Sequence, residues 1–311
     1  MVKNILSLFD GMSCGQIALN KLGIKYNKYF ASEIDKYAIE VTQKNYPNTI
    51  QVGSVMDLEK KNFPSIDLLL GGSPCQDLSS SNTWTTKKGL EGEQSNLFWE
   101  YVRVLKEFKP RYFLFENVGS AKKEDIDIIN KELGVIGVEF NSRLLVPQNR
   151  NRLYWTNIPF DLPYRKMTKT MQDLLEKKVN DKYYLSQKMY ECVMKPASEG
   201  WQSGTMETDL TIARPLTATM HKMHRADTDN YITTKYNPLN KTNLRRLTPL
   251  ECERLQGVND NYTEGVSDTQ RYRMLGNGWT IEVIEHLLKG LIIEIERPRK
   301  NVQLTLNLNM R

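Results

Sequence analysis

The 311-residue sequence has no stretch long and apolar enough to span a bilayer. Its mean hydropathy is −0.54 and 40% of its residues are hydrophobic, the balance of an ordinary soluble chain. The segment Met1–Asp10 is too short in apolar residues for a secretory leader and meets Asp10 too soon; it reads instead as a first strand. The four cysteines, Cys14, Cys75, Cys192 and Cys252, are widely spaced with no CxxC pair. That spacing argues against a disulfide framework and against a zinc site, and makes a reducing cytoplasm the expected compartment. Among the three histidines, His221 and His224 lack metal-spaced partners, so no metal is expected. Neither GxGxxG nor GKS/T is present, which disfavours NAD and ATP. Repeats and low-complexity segments are also missing. The net charge of +6 is compatible with a polyanionic partner but says little alone.

Against these absences, Pro74-Cys75-Gln76 stands out. It closes the apolar run Ile66-Asp67-Leu68-Leu69-Leu70-Gly71-Gly72-Ser73, a buried strand opening into a Gly-bounded loop. A cysteine after a proline at a strand end is held stiffly and partly exposed, where a nucleophilic thiolate belongs. A buried structural cysteine is the plain alternative.

Strand-like and helix-like segments alternate through the first half. Strands are expected at Asn4–Phe9, Tyr26–Ser32, Asp67–Leu70 and Tyr112–Glu116. Helices are expected at Gly15–Leu22, Tyr37–Asn45, Leu97–Phe108 and Ile126–Leu133. This rhythm predicts an α/β fold with a doubly wound, mostly parallel sheet and helices on both faces. Ligands bind such sheets at the carboxyl ends of the strands. Phe9-Asp10-Gly11, Glu33, Cys75 and Glu116 all fall at or just after expected strand ends, so they converge on one edge.

Ser7–Gly15 is a strand, a Gly-containing turn and a helix start, with Gly11 permitting close approach to a ligand. Glu33 follows at the next strand end, placed to accept from ribose hydroxyls. Glu116 ends the apolar strand Tyr112-Phe113-Leu114-Phe115. It is either a partly desolvated group suited to proton work or a loop carboxylate satisfied by a helix N-terminus. Gln148-Asn149-Arg150-Asn151-Arg152 precedes the strand-like Leu153-Tyr154-Trp155. Its arginines at alternate positions point the same way, to clamp a phosphate or carbonyl or to form a solvated basic edge.

The rhythm fades after Pro159. Residues 161–245 hold 14 Lys+Arg against 10 Asp+Glu, four of the chain's six net charges, and read as a smaller irregular domain containing Trp201. Within Arg245–Gly257, Thr248 is the expected helix N-cap, with Pro249 at the first helical position and Glu251 three residues on. Cys252 is expected to be packed rather than reactive. A helical apolar pattern returns from Trp279 to Ile295, and Gln303–Asn309 alternates as an edge strand or a disordered tail would. The domains expected are 1–159, 160–270, and 271–311 returning to the first.

In order along the chain stand Phe-Asp-Gly-x-x-x-Gly at Phe9–Gly15, Gly-Gly-Ser-Pro-Cys-Gln at Gly71–Gln76, Glu116-Asn117-Val118, Gln148-x-Arg150-x-Arg152, and Leu275-Gly276-Asn277-Gly278-Trp279. This ordered set resembles the bacterial and phage DNA (cytosine-5)-methyltransferases over about residues 4–160 and 245–290. The resemblance implies a Rossmann-like, S-adenosylmethionine-dependent fold with a target-recognition domain. It implies transfer of a methyl group to C5 of a flipped-out cytosine in double-stranded DNA. Cys75 would add to C6, Glu116 would contact N3 and the exocyclic amine, Arg152 would hold O2, and Arg150 would help position the catalytic loop or cofactor side. Phe9, Asp10, Gly11, Cys14 and Gly15 would line the methionine side of the cofactor. Glu33 and Ile34 would take the ribose side, Pro74 the sulfonium end, and Asn277, Gly278 and Trp279 the far wall. Relatives place an acid after the next strand to meet the adenine amino group. Here stand Val52-Gly53-Ser54-Val55, leaving Ser54, Val55 and Asp57 as the candidate contacts. The segment Asp77–Asn96 resembles the family's mobile loop. Expected DNA contacts are Gln76, Ser79, Ser80, Gln148, Arg214, Lys222 and Arg225. The partners implied are DNA and either a cognate restriction endonuclease acting separately or, for a solitary or phage methylase, none, with the enzyme itself a monomer. The competing readings are the same chemistry on tRNA and a catalytically silent binding module, the latter disfavoured by intact Cys75, Glu116 and Arg152. No residue code yields the target sequence.

Overall fold

The computed structural model describes residues 2–74, 97–164, 168–195, 206–222 and 225–296. Cys75, Gln76, Ser79, Ser80, the segment 77–96, Trp201, His224 and the tail beyond 296 lie outside the described residues.

The chain alternates β1 (Asn4–Leu8), α1 (Cys14–Lys21), β2 (Lys28–Ser32), α2 (Lys36–Asn45), β3 (Ile50–Gln51), β4 (Leu68–Gly71), α3 (Leu97–Phe108), β5 (Tyr112–Val118), α4 (Lys123–Leu133), β6 (Val138–Asn141) and β7 (Asn151–Thr156). These strands form one seven-stranded sheet in the order β3-β2-β1-β4-β5-β7-β6. β1 through β5 run parallel, while β7 lies antiparallel to both β5 and β6. The expected doubly wound, mostly parallel sheet is the observed one. Strands β3 and β6 carry no sequence signal of their own, being a two-residue edge and a half-exposed edge.

Both faces of the central strands are covered. Ile5, Leu68, Leu70 and Leu114 pack into one apolar cluster with Ile17 and Leu19 of α1. Their neighbours Leu6, Leu8, Leu69, Phe113 and Phe115 pack into a second, with Phe98 and Val102 of α3 and Ile129 of α4. Period-2 alternation therefore distributes one continuous hydrophobic run between two cores, as interior strands of a parallel sheet require. Local signals set the helix ends. Asp35 caps α2 by accepting from the Tyr37 and Ala38 N–H groups. Gly134, at φ +69°, ends α4 in the left-handed region where glycine carries no Cβ penalty.

The second half adds α5 (Gln187–Met194), β8 (Tyr231–Asn237), β9 (Thr242–Arg246), α6 (Pro249–Leu255), α7 (Asp268–Asn277) and α8 (Ile281–Glu296). The region expected to be irregular thus contains a helix and the antiparallel β8–β9 hairpin, with a small core of Leu185, Val193, Ala226, Tyr231 and Leu244. Thr248 and Glu251 form a reciprocal capping box at α6 with Pro249 in the first turn, as expected. Cys252 is fully buried. Leu247, Cys252, Leu255 and Val258 join the same cluster as α1 and the α8 residues Ile284, Leu287 and Leu288. α6 and the turn after it are thereby built against the main sheet's helical layer.

Candidate active site

The carboxyl ends of β1, β2, β4 and β5 meet on one edge of the sheet. β1 delivers Phe9, Asp10 and Gly11, and β2 delivers Glu33. β4 delivers Gly72, Ser73 and Pro74, and β5 ends in Glu116-Asn117-Val118. β7 lies antiparallel beside β5, with Arg152 opposite Val118 and Tyr154 opposite Glu116. Arg152 therefore reaches Glu116 diagonally on one face of the pair.

Glu116 is held at both oxygens. Oε1 pairs with Arg152 Nε at 2.9 Å, and Oε2 accepts from Trp279 Nε1 at 3.0 Å. Glu116 is 9% exposed, so one narrow side remains open. The reading of Glu116 as a carboxylate satisfied by a helix N-terminus gives way to this side-chain cradle. Gly72 makes the cradle possible. A Cβ there would stand 2.8 Å from Glu116 Oε2 and 3.0 Å from Trp279 Nε1. The loop that leads to Cys75 thus passes against the carboxylate, and Asn117 Nδ2 donates to Ser73 Oγ at 3.3 Å beside it.

The loop after β1 is wound tightly, with Phe9, Gly11 and Ser13 at φ +56°, +57° and +64°. Positive φ at two non-glycine residues stores strain that a rigid scaffold must hold in place. Glu33 is part of that scaffold. Its Oε2 accepts from Gly11 N–H at 2.7 Å, and its Oε1 from the Ile34 and Asp35 N–H groups at 2.7 and 2.8 Å. Asp10 is buried. Its Oδ1 accepts from the Tyr29 hydroxyl at 2.8 Å, while Oδ2 has no partner among the described residues. Burial pushes the Asp10 carboxyl up to about 6, against the pull of the Ser7, Tyr29 and Ser13 hydroxyls.

The sign of the resulting pH dependence follows from linkage. A carboxyl raised in the folded state stabilises the protein fully below its ordinary value near 4, and that contribution is lost as pH rises through about 6. Asp10→Asn, which removes the ionisation, is expected to gain on the ligand-free wild type by on the order of 2–3 kcal/mol between pH 4 and 7. Urea unfolding at several pH values checks this; a difference that stays constant with pH would contradict it.

Gly278 closes the site from above. Its Cβ position lies 2.9 Å from Met12 Cε and 3.2 Å from Cys14 Sγ, so a side chain there would push the cap off the β1 loop. Cys14 is buried beneath it, and burial pushes its thiol up to about 12, which makes it packing rather than chemistry. A Cβ on Gly15 would stand 2.6 Å from Leu70 Cδ1, so Gly15 also permits the close approach of α1 to β4. Ile34 is 78% exposed at the end of β2. Ser54 Oγ caps the short turn Val55–Asp57 by accepting from Met56 N–H at 3.2 Å, Val55 is buried, and Asp57 is exposed.

Several expected DNA contacts are placed differently. Gln148 is completely buried, bound to Leu255, Gln256 and Leu216, and has no surface to offer DNA. Arg214 turns inward, donating to Asp229 O at 3.1 Å and pairing with Glu207 at 2.8 Å. Arg225 donates to the Thr217 and Thr219 hydroxyls, both at 3.1 Å, and keeps part of its surface. Lys222 is exposed at the end of the turn Met220–Lys222. Arg150, only 4% exposed, clamps carbonyls of this chain, namely Leu216 O at 2.8 Å and Gly276 O and Gly278 O at 3.0 Å each. It braces the site without entering it. The sequence reasoning missed Tyr29, Gln256 and Thr280. Tyr29 could have been found from strand alternation, but nothing local marks the other two.

No helix of the described residues is long and apolar enough to cross a membrane, and no group of three or more metal-ligating side chains occurs among them.

A family model for the C-5 cytosine-specific DNA methylases matches residues 3–292. The Type II methyltransferase M1.ScrFI of Lactococcus lactis subsp. cremoris is 28% identical over 322 residues, covering 95% of this chain and 79% of its own length. The orphan methyltransferase M.SPRI of Bacillus phage SPR is 26% identical over 428 residues, covering 93% of this chain and 97% of its own. Among solved structures, the Entamoeba histolytica methyltransferase EhMeth superposes with a TM-score of 0.75 at 20% identity, covering 96% of this chain and all of that one; this likeness speaks for the fold. The strand-end cluster and the match over nearly the whole described chain agree, and the chain belongs to the C-5 cytosine-specific DNA methylases, the DNA (cytosine-5)-methyltransferases.

Proposed function

We propose that the protein methylates C5 of a cytosine turned out of double-stranded DNA at one short sequence, through a covalent bond between Cys75 and C6. The observation that carries this reading is the Glu116 carboxylate, held between Arg152 and Trp279 at the end of β5, against the Gly72 backbone that leads to Cys75. C5 of cytosine is a poor nucleophile. The Cys75 thiolate adds to C6, the C5–C6 double bond opens, and C5 becomes the nucleophilic carbon of an enamine. Glu116 contacts N3 and the exocyclic amine, where charge develops as the thiolate adds, and Arg152 holds O2. Once C5 carries the transferred methyl group, it gives up its proton to a base while the C6–sulfur bond breaks, returning the thiolate and leaving 5-methylcytosine. The target must leave the stack first, at a cost of a few kcal/mol.

S-adenosylmethionine supplies a methyl group activated on a positively charged sulfonium. The residues present fit it. The unpartnered, buried Asp10 Oδ2 suits the cationic methionine end. Phe9, Gly11 and Cys14 flank that position, Glu33 and Ile34 suit the ribose, and Pro74 suits the sulfonium side. Asn277, Gly278 and Trp279 suit the far wall, and Ser54, Val55 or Asp57 the adenine. Because a cationic ligand favours ionised Asp10, affinity is expected to fall as pH drops below about 6 and to stay nearly flat above it. Calorimetric titration from pH 5 to 8 reads this; Asp10→Asn should bind weakly with no such slope. An adenine contact through a carboxylate predicts that Asp57→Ala weakens the cofactor more than Ser54→Ala, and the reverse order of affinities would assign the contact to Ser54.

Exposed Lys222 and partly exposed Arg225 on the recognition segment suit phosphate contacts. We expect a monomer acting in the cytoplasm. Its sequence relatives include both a Type II and an orphan methyltransferase. The enzyme therefore either pairs with a restriction endonuclease of matching specificity, acting separately, or acts alone as a solitary or phage methylase.

Incubation with S-adenosylmethionine and unmethylated genomic DNA, followed by bisulfite sequencing, tests the reading. Protected cytosines in one recurrent context are expected. Full conversion of the DNA together with methylated tRNA would move the substrate to RNA. DNA carrying 5-fluorocytosine at the target should trap the enzyme, because fluorine at C5 cannot leave as a proton does. Mass spectrometry should find the base on Cys75, and a base attached elsewhere would overturn that assignment.

A further inference from the structure

Four buried side chains outside the base-contacting set, Gln148, Arg150, Gln256 and Thr280, form one connected polar node. Gln256, fully buried just after α6, donates through Nε2 to Leu275 O at 2.7 Å and Gly278 O at 3.2 Å. Its Oε1 accepts from Thr280 Oγ1 at 2.8 Å and Gln148 Nε2 at 3.2 Å, and its backbone carbonyl accepts from Ile281 N–H at 2.9 Å. Gln148 Oε1 takes the Leu216 N–H at 3.1 Å, while Arg150 takes the Leu216 carbonyl at 2.8 Å. Both backbone polar groups of Leu216, in the recognition region, are thus held, its N–H by Gln148 and its carbonyl by Arg150. The same stretch lies along the main domain, with Asn149 N–H bound to Ala213 O and Ala213 N–H to Pro147 O, both at 2.8 Å.

The next residue touches the cap directly. A Cβ on Gly276 would lie 2.2 Å from the Thr217 carbonyl carbon and 2.3 Å from Ala218 N, so backbone meets backbone there. Thr217 and Thr219 in turn hold Arg225, and Lys222 follows three residues later. On the other side of the node, the Gly278 carbonyl is held by both Arg150 and Gln256, and Trp279 immediately after it donates to Glu116. A continuous set of packed and hydrogen-bonded groups therefore joins the Leu216–Lys222 segment to the Glu116 carboxylate. Buried networks with every member satisfied hold one geometry and shift as a unit.

We propose that Gln256 is a positioning residue that, with Gln148 and Arg150, transmits the seating of the recognition segment 216–222 to Trp279 and so to Glu116. Turnover then depends on how that segment is seated, although Gln256 touches neither base nor cofactor. The inference rests on the reading of Glu116 as the group that contacts the target base.

The test is a double-mutant cycle on the full chain with target DNA. Gln256→Met keeps the volume and removes both sets of hydrogen bonds. It is expected to lower kcat at saturating DNA and cofactor by about 10-fold to 100-fold, the cost of a small misplacement of a reacting group. DNA affinity should change by less than about 3-fold. If Gln256 acts through Glu116, adding Gln256→Met to Glu116→Gln causes little further loss, since coupled sites are not additive. Thr280→Val, which removes only one bond to Gln256 Oε1, serves if Gln256→Met fails to fold, and should show the same non-additivity at smaller amplitude. A Gln256→Met enzyme with wild-type kcat, or losses that multiply in the double variant, would overturn the proposal. A fully active Glu116→Gln enzyme would instead overturn the reading of Glu116 beneath it.

Discussion

Glu116→Gln is expected to lower kcat by about two to four orders of magnitude, the range for losing a positioned proton-handling group, and to leave cofactor affinity within a few-fold. The amide is nearly isosteric, so the Gly72 passage and the Trp279 contact can persist. What goes is the charge. Arg152 loses its ionic partner at 2.9 Å, and the base loses the acidic side chain held in the Arg152–Trp279 cradle. Single-turnover methyl transfer at saturating DNA, with calorimetric cofactor binding as control, separates the two effects. An enzyme within threefold of wild type would show that Glu116 is structural. Equal losses in rate and cofactor affinity would show a collapsed site rather than a missing contact.

The second large effect concerns stability. Glu251→Ala is expected to cost about 3–5 kcal/mol, the usual price of breaking a buried ion pair from one side. Glu251 is 0% exposed and its partner Arg245 3%. Each oxygen takes two donors, Oε1 from Arg245 Nη2 and Glu176 N–H, Oε2 from Arg245 Nη1 and Thr248 N–H, all at 2.8 Å. Alanine leaves the guanidinium buried without a counter-charge and removes half of the α6 capping box. Because total stability of a domain is typically about 5–15 kcal/mol, such a loss should be visible as a large drop in the urea midpoint. Replacing both partners, as Arg245→Met with Glu251→Leu, should recover most of it, because no charge is then stranded. A Glu251→Ala protein within 1 kcal/mol of wild type would mean that water reaches this pair. α6 also carries Gln256 at its end, so a loosened α6 should reduce turnover before it unfolds the protein.

Much of the site was legible locally. Apolar runs mark β1, β4 and β5, and polar or glycine-bearing residues directly after each run mark the edge where ligands collect. The Thr248–Glu251 capping box was legible for the same reason, since both partners lie within one turn. The hairpin β8–β9 was not, because its stability comes from a small core shared with α5, far away in sequence. Edge strands β3 and β6 were missed because pairing with a neighbour, rather than their own composition, makes them strands.

The arginines at alternate positions show the division within a single motif. Strand alternation in the sequence alone puts Arg150 and Arg152 on one side of the chain, together with the apolar run, the Gly-Pro-Cys loop and the ordered motifs that specify the family. It does not decide that Arg152 meets Glu116 while Arg150 and Gln148 turn into the interior to hold Leu216, Gly276 and Gly278. Those partners lie 66 to 128 residues away, in segments whose composition carries no mark of the contact. Whether a polar side chain faces DNA or the interior depends on which distant backbone carbonyls and N–H groups are left unpaired by the packing. That requirement exists only once the chain has folded.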